Sequence, residues 1–258
     1  PSPLPAVEPA QAEALSVAHF RKLIHDQDLR KTELAFWRFG PEIDAPEIKS
    51  LWGLLPADTR VPDHSIWDHL DLTAAFACAF ALDEKDGPAL LAVSLGPVQD
   101  FIAASRSTSD LWAGSHLLAR LGWEAMKVIC EELGPEAILF PRLRGIPQMD
   151  VWLRDERKLD SELFVNCEWT KGGTDANPLF AAALPNRFTA LVPANRARAL
   201  GEKITAHVRA WVLKQGEAAY RLLLQEAAIA DAPALPGYAQ LKEQLAGFPE
   251  VHWAAVPW

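Results

Sequence analysis

The sequence is poor in tyrosine and methionine, with two of each, and holds only three cysteines in 258 residues. Cys78, Cys130 and Cys167 are scattered, and no two have the spacing of a zinc-ligand pair. An odd, scattered set suggests no disulfide framework, so a reducing cytoplasm is the expected location. Positive charge is also short: 25 Lys and Arg against 34 Asp and Glu leave a formal net charge of -9. That argues against a broad grip on nucleic acid by this stretch alone, though not against local basic strips in a larger assembly. Long apolar runs are missing too. The longest nearly apolar run, Leu72 to Leu82, is too short to cross a bilayer, so no membrane partner is expected. The first residues lack the charged flank and apolar core of a signal peptide, and no internal repeat is present.

What is present describes a globular chain. Half the residues are hydrophobic and 23% are charged, enough for one large domain or two smaller ones with a sizeable core. There is no initiator methionine, and Val251 to Trp258 carries two tryptophans and a proline. Such an apolar end is expected to need cover from further chain or from a partner, and both ends read as cut.

The chain is organised around Leu90 to Arg120, LLAVSLGPVQDFIAASRSTSDLWAGSHLLAR. The apolar run Ala89 to Val93 predicts a strand buried on both faces. Gly96-Pro97 breaks it, and proline is well placed to start a helix. Val98, Phe101 and Ile102 mark one helical face, and a second helix is expected from near Ala113, with Leu117, Leu118, Leu121, Ala125, Val128 and Ile129 as its stripe. The free N–H groups of a helix entered from a strand can hold a phosphate. Spacing alone favours an ordinary strand–helix turn, because neither a Walker loop nor a dinucleotide fingerprint is present.

Elsewhere, Pro1 to Ala14 reads as a flexible leader and Leu15 to Phe39 as helical, with His25-Asp26 inside it. Asp58, Asp63, His64, Asp68, His69 and Asp71 concentrate acids and imidazoles. His64 and Asp68 have the spacing of two ligands on one helix face, but the stronger reading is that Asp63 caps a helix starting near Ser65. Arg142, Arg144, Arg154, Arg157 and Lys158 form a positive stretch interleaved with acids, either an RNA or subunit contact or a solvated edge. Ala137 to Phe140 and Phe188 to Val192 predict two more strands, Lys171 to Pro178 a loop, and Ala194 to Ala228 and Tyr238 to Leu245 helices. The alternation fits an α+β domain of the ferredoxin-like, nucleotidyl-cyclase-like kind.

The central string resembles the first palm-like domain of the large subunit of type III CRISPR effector complexes of the Cmr (III-B) type. Four more segments fit in the same order: Leu55 to Thr73, Gly134 to Gly145, Leu184 to Pro193 and Glu250 to Trp258. The resemblance implies a helical N-terminal junction over 1–86, a remnant of or linker from an HD domain. It implies a first palm domain over 87–215 and the start of a helical domain over 216–258.

Family members carry two palms that bind ATP with Mg or Mn and make cyclic oligoadenylates once guide RNA pairs with target RNA. The catalytic Gly-Gly-Asp-Asp sequence is absent here; Gly172-Gly173 is followed by Thr174-Asp175. The resemblance therefore implies a partner palm with no catalytic and no metal-binding residues of its own, set among other subunits, guide RNA and target RNA. Ser94, Gly96, Val98 and Gln99 are the candidate phosphate contacts. Gly114 and Ser115 are the candidates for approaching a base or ribose, Arg106 and Asp110 are expected to pair, and Phe101, Ile102, Trp112 and Leu118 to be core. Two alternatives stay open: a scaffold-only palm, and an HD-type metal hydrolase built on His25, Asp26, His64 and His69.

Overall fold

The computed structural model describes residues 7–258. In chain order the elements are α1 (Pro9–Arg21), α2 (Leu29–Phe39), α3 (Pro46–Trp52), α4 (Ile66–Leu82), β1 (Pro88–Gly96), α5 (Val98–Ala103), α6 (Thr108–Glu132), β2 (Ile138–Phe140), α7 (Pro147–Asp155), β3 (Arg187–Pro193), α8 (Ala197–Glu226), α9 (Pro236–Leu245) and β4 (Glu250–Pro257). The chain divides into two compact units. One combines the chain up to Ala74 with Leu143–Ala181; the other combines Ala75–Arg142 with Ala182–Trp258.

The first unit is helical. Ile43, Ala45, Ile48, Trp52 and Trp67 form its buried cluster, with Val7, Leu15, Phe20, Phe36 and Ile66 packed against it. Rings meet at tilted angles: Trp52 and Trp67 lie 5.6 Å apart, and Phe20 lies 5.7 Å from Trp52. The buried indole N–H groups are satisfied, Trp52 donating to the Gly40 carbonyl and Trp67 to that of Trp52.

Several expectations change in this unit. Helix starts at Pro9 rather than after Ala14, because proline suits a first helical turn and PAQAEAL is rich in helix formers; Pro1 to Ala6 lie outside the described residues. The stretch from Leu15 to Phe39 is two helices, since Asp28 accepts from the Lys31 N–H and starts α2 afresh. The cap of α4 is Ser65, which exchanges hydrogen bonds with Asp68, while Asp63 bonds His64 instead.

The second unit holds the antiparallel sheet, in the order β2-β3-β1-β4. Along the chain its strands and long helices run β1-α6-β2-β3-α8-β4, a β-α-β-β-α-β order to which α5 and α9 are added. Residues 143–181 of the first unit intervene between β2 and β3. Ala89, Leu91, Val93 and Leu95 point to one face and are buried, together with Leu121 and Ile129 of α6 and Ile204 and Val208 of α8. Close packing leaves no room for a side chain at Gly201 and Gly122, among others. A Cβ on Gly201 would sit 2.4 Å from the Trp253 ring, and one on Gly122 would sit 2.5 Å from the Pro185 carbonyl.

β1 is not buried on both faces. Ala92 is exposed and Ser94 half-buried, because the small side chains of the second face leave it open over part of its length. The apolar C-terminal stretch forms β4, paired with β1 from Ala89↔Pro257 to Gly96↔Glu250. Trp112, expected in the core, is 54% exposed. Among the described residues, no helix is long and apolar enough to cross a membrane.

Candidate functional site

The open face of the sheet has a concave notch of about 370 Å³, lined in part by Ala92, Ser94, Phe140, Arg187, Thr189 and His252. Strand register explains the grouping. Ser94 lies opposite Arg187 on one side and His252 on the other, giving a polar row across three strands. The next row on this face runs Thr189, Ala92, Ala254, and Phe140 of β2 sits beside Thr189. Ala92 and Ala254 offer a flat floor with nothing beyond Cβ. Phe140 leaves its ring 54% exposed at one side. Arg187 is exposed and has no carboxylate partner among the described residues. His252 bonds Glu250 at 3.3 Å. A guanidinium, an imidazole, two hydroxyls, a flat floor and an aromatic wall suit a planar ring that carries an anionic group.

The candidates named from sequence are spread out. Ser94 lines the notch, and Gly96 lies two residues on, on the same face of β1. Gly96 does not have positive φ, unlike Gly87, Gly134 and Gly145, and nothing lies within 4 Å of a Cβ built on it. Val98 and Gln99 begin α5, a helix of six residues. Gly114 and Ser115 lie in the second turn of α6, which starts at Thr108 rather than near Ala113 because Ser107 caps it, accepting from the Asp110 N–H. A Cβ on Gly114 would meet Phe101 at 3.3 Å, and the Ser115 hydroxyl donates to the Leu111 carbonyl. Arg106 and Asp110 pair loosely at 3.9 Å.

Arg187, Thr189, His252 and Phe140 were not singled out from the sequence. Each lies in one of the family-like segments, but adjacency of their strands is invisible in the chain.

The first unit holds a wider groove of about 810 Å³, lined among others by His19, Lys22, Arg38, Asp150, Cys167 and Trp169. Its polar centre is tied up internally. Arg38 bonds Asp150 and Glu42, and Trp169 donates to Asp150 at 3.1 Å. Burial, with Asp150 adding to it, pushes the Cys167 thiol up to about 11, so this sulfur stays protonated. Burial lowers the pKa of His19, and its Nε2 lies within reach of the Phe39 and Gly40 carbonyls. His64 Nε2 lies 3.3 Å from His69 Nδ1. Among the described residues, no three or more His, Cys, Asp or Glu are grouped to hold a metal ion. The basic stretch is engaged in ion pairs and ring contacts: Arg144 forks onto Asp71, Arg154 pairs with Asp155, and Arg157 lies over Trp152.

Residues 90–216 match the family described as CRISPR-associated protein Cmr2, N-terminal. Over these residues the sequence is Cmr2-like. The match takes in Ser94, Phe140, Arg187 and Thr189, while His252 lies beyond it. The chain is similar to the CRISPR system Cmr subunit Cmr2 of Pyrococcus furiosus, 39% identical over 160 residues, 62% of this chain and 16% of that protein. It is similar to the Cmr2 subunit of Saccharolobus solfataricus, 42% identical over 98 residues, 38% of this chain and 9% of that protein. In fold it is similar to a chain of a type III-B Cmr-beta complex bound to cognate target RNA. The TM-score is 0.69 at 22% identity, covering 98% of this chain and 28% of that one. The chain thus spans a small part of the length of the relatives it matches.

Proposed function

We propose that this chain is the first palm-like portion of the large subunit of an RNA-guided type III-B effector complex. Its role there is to anchor the subunit among its neighbours and to form one wall of the nucleotide pocket used to make cyclic oligoadenylates. The observation that carries this reading is the notch on the open sheet face, where Arg187, Ser94 and His252 stand in one row beside an alanine floor and the Phe140 ring. The Cmr2-like match supports it, as does the β-α-β-β-α-β order of a ferredoxin-like palm.

In this reading ATP lays its base on the alanine floor against Phe140, with its phosphates at Arg187. Gly96, Val98 and Gln99 continue the wall past the end of β1; Gly114 and Ser115 support it from α6. A bound metal ion would neutralise phosphate charge and activate a hydroxyl, held by carboxylates of a second palm. Guide RNA, target RNA and the other subunits are partners through the assembly, and the cytoplasm is the location.

The test is ATP binding by the chain and by the assembled complex. Arg187→Ala should weaken it about tenfold, on the order of 1.4 kcal/mol for a charge-assisted contact. Phe140→Ala should weaken it as well, with guide and target RNA binding and the thermal melt unchanged. ATP affinity equal to the parent in both variants would leave the scaffold-only reading.

A further inference from the structure

The register of β3, β1 and β4 sets the open sheet face out in rows. Leu191, Leu90 and Val256 make an apolar row, and Thr189, Ala92 and Ala254 the next. Arg187, Ser94 and His252 follow, and then Gly96 and Glu250. Successive rows lie about 6.8 Å apart, two residues of antiparallel strand. Along the strands the face therefore passes from apolar to basic and polar, and then to acidic.

That gradient restricts how a nucleotide can lie. A base on the alanine row, against Phe140, sends its phosphate either to the Arg187 row or onto Leu191, Leu90 and Val256. Only the first direction offers polar partners. One row step matches the reach from a base to the phosphate on its own ribose, so the α-phosphate falls at Arg187, with the hydroxyls of Ser94 and Thr189 beside the sugar. Arg187 is the one lysine or arginine in the lining of the notch. Its fork suits two oxygens of a single phosphate. Anything further along meets Gly96, which has no side chain, and Glu250, which is exposed and holds His252 at 3.3 Å. The Glu250 carboxylate repels a second and a third phosphate. Helix α5 begins beyond, with only six residues and little dipole to set against that charge.

We infer that this wall recognises a nucleoside 5′-monophosphate unit, through base, ribose and α-phosphate, and takes no hold on the β- and γ-phosphates. AMP and ATP then compete for it. This specificity rests on the nucleotide reading of the notch. Further chain beside β4 would extend the floor and leave these contacts in place.

The test is competition binding of adenosine, AMP and ATP to the chain and to the assembled complex, in the parent and in Arg187→Ala and Phe140→Ala. AMP should displace ATP. Arg187→Ala should weaken AMP and ATP by the same factor, about tenfold, and leave adenosine unchanged. Phe140→Ala should weaken all three alike. Each variant is compared with its own parent, so contacts that other parts of the complex make to the β- and γ-phosphates cancel. Both side chains are exposed, and thermal melts check that the variants fold. A loss of ATP affinity in Arg187→Ala that AMP does not share, or AMP that fails to displace ATP, would overturn the specificity and leave a nucleotide site standing. Parent affinity for all three ligands in both variants, or no binding by the parent, would remove the nucleotide reading together with it.

Discussion

Asp150 grips Arg38 from 112 positions away in the chain, with Arg38 Nε 2.5 Å from one carboxylate oxygen and Nη2 3.0 Å from the other. Both side chains are almost fully buried, and the indole of Trp169 donates a third bond to the same carboxylate. The fork joins α2 to α7 within the first unit, two elements that share no local sequence signal.

Removing the acid strands a buried cation. Asp150→Ala should lower unfolding stability by about 3–5 kcal/mol, while Arg38→Met with Asp150→Leu together should cost much less, since no charge is left behind. Urea titrations of the two variants decide this. If the double variant proves as unstable as the single one, the pair is not the source of the loss.

Glu124 gives an acid-side prediction. It is buried on α6; burial pushes its pKa up, but the hydrogen bond from His207 and the charge of Arg120 outweigh that, and the net shift is downward. A folded pKa below the unfolded one stabilises the fold above the unfolded value, about 4.3, and that contribution is lost as pH falls through the folded value. Glu124→Gln should therefore flatten part of the stability decline below about pH 4.3. Identical pH slopes for the variant and parent in urea melts would contradict the assignment.

Gly201 is a packing glycine. Gly201→Leu drives carbon into the Trp253 ring and should cost roughly 1–3 kcal/mol, the range for overpacking a filled core. Because Trp253 belongs to β4, the strand should loosen first, and amide exchange at the β4 residues bonded to β1 should quicken ahead of the rest of the sheet. Uniform quickening across all four strands would argue that β4 is not held by this contact.

Gly96 should behave in the opposite way. Its backbone is not left-handed and the space over it is empty, so Gly96→Val should melt within about one degree of the parent. A fall of several degrees would mean the turn into α5 needs glycine for a reason the geometry does not contain.

The strands of the second unit were legible where apolar runs were bounded by Gly and Pro, as at Ala89 to Val93 and Phe188 to Val192. The amphipathic stripe of α6 was equally plain. What failed to show was pairing. Glu250 to Pro257 reads as an apolar tail because its alternation is confined to Glu250 to Trp253, and its partner lies far back in the chain. The notch suffered for the same reason. Arg187, Ser94 and His252 come from three strands, and only the register makes them neighbours. The sequence reveals Gly96 but not its φ, which is not left-handed. Gly201 and Gly122 gave no sign at all, being ordinary helix positions until a ring or carbonyl is found against them.

The return of the chain between β2 and β3 has a practical consequence. Because residues 143–181 leave one unit to complete the other, each unit is assembled from two separated lengths of polypeptide. No single scission can release either one whole. Cutting before β1 strips the helical unit of α1 to α3, and cutting after β2 removes β3 and β4 from the sheet. Protease trimming should yield nicked, still-associated pieces rather than a stable half. Expressing the second unit by itself would require rejoining its two lengths, with a short turn replacing the excursion from Phe140 to Arg187.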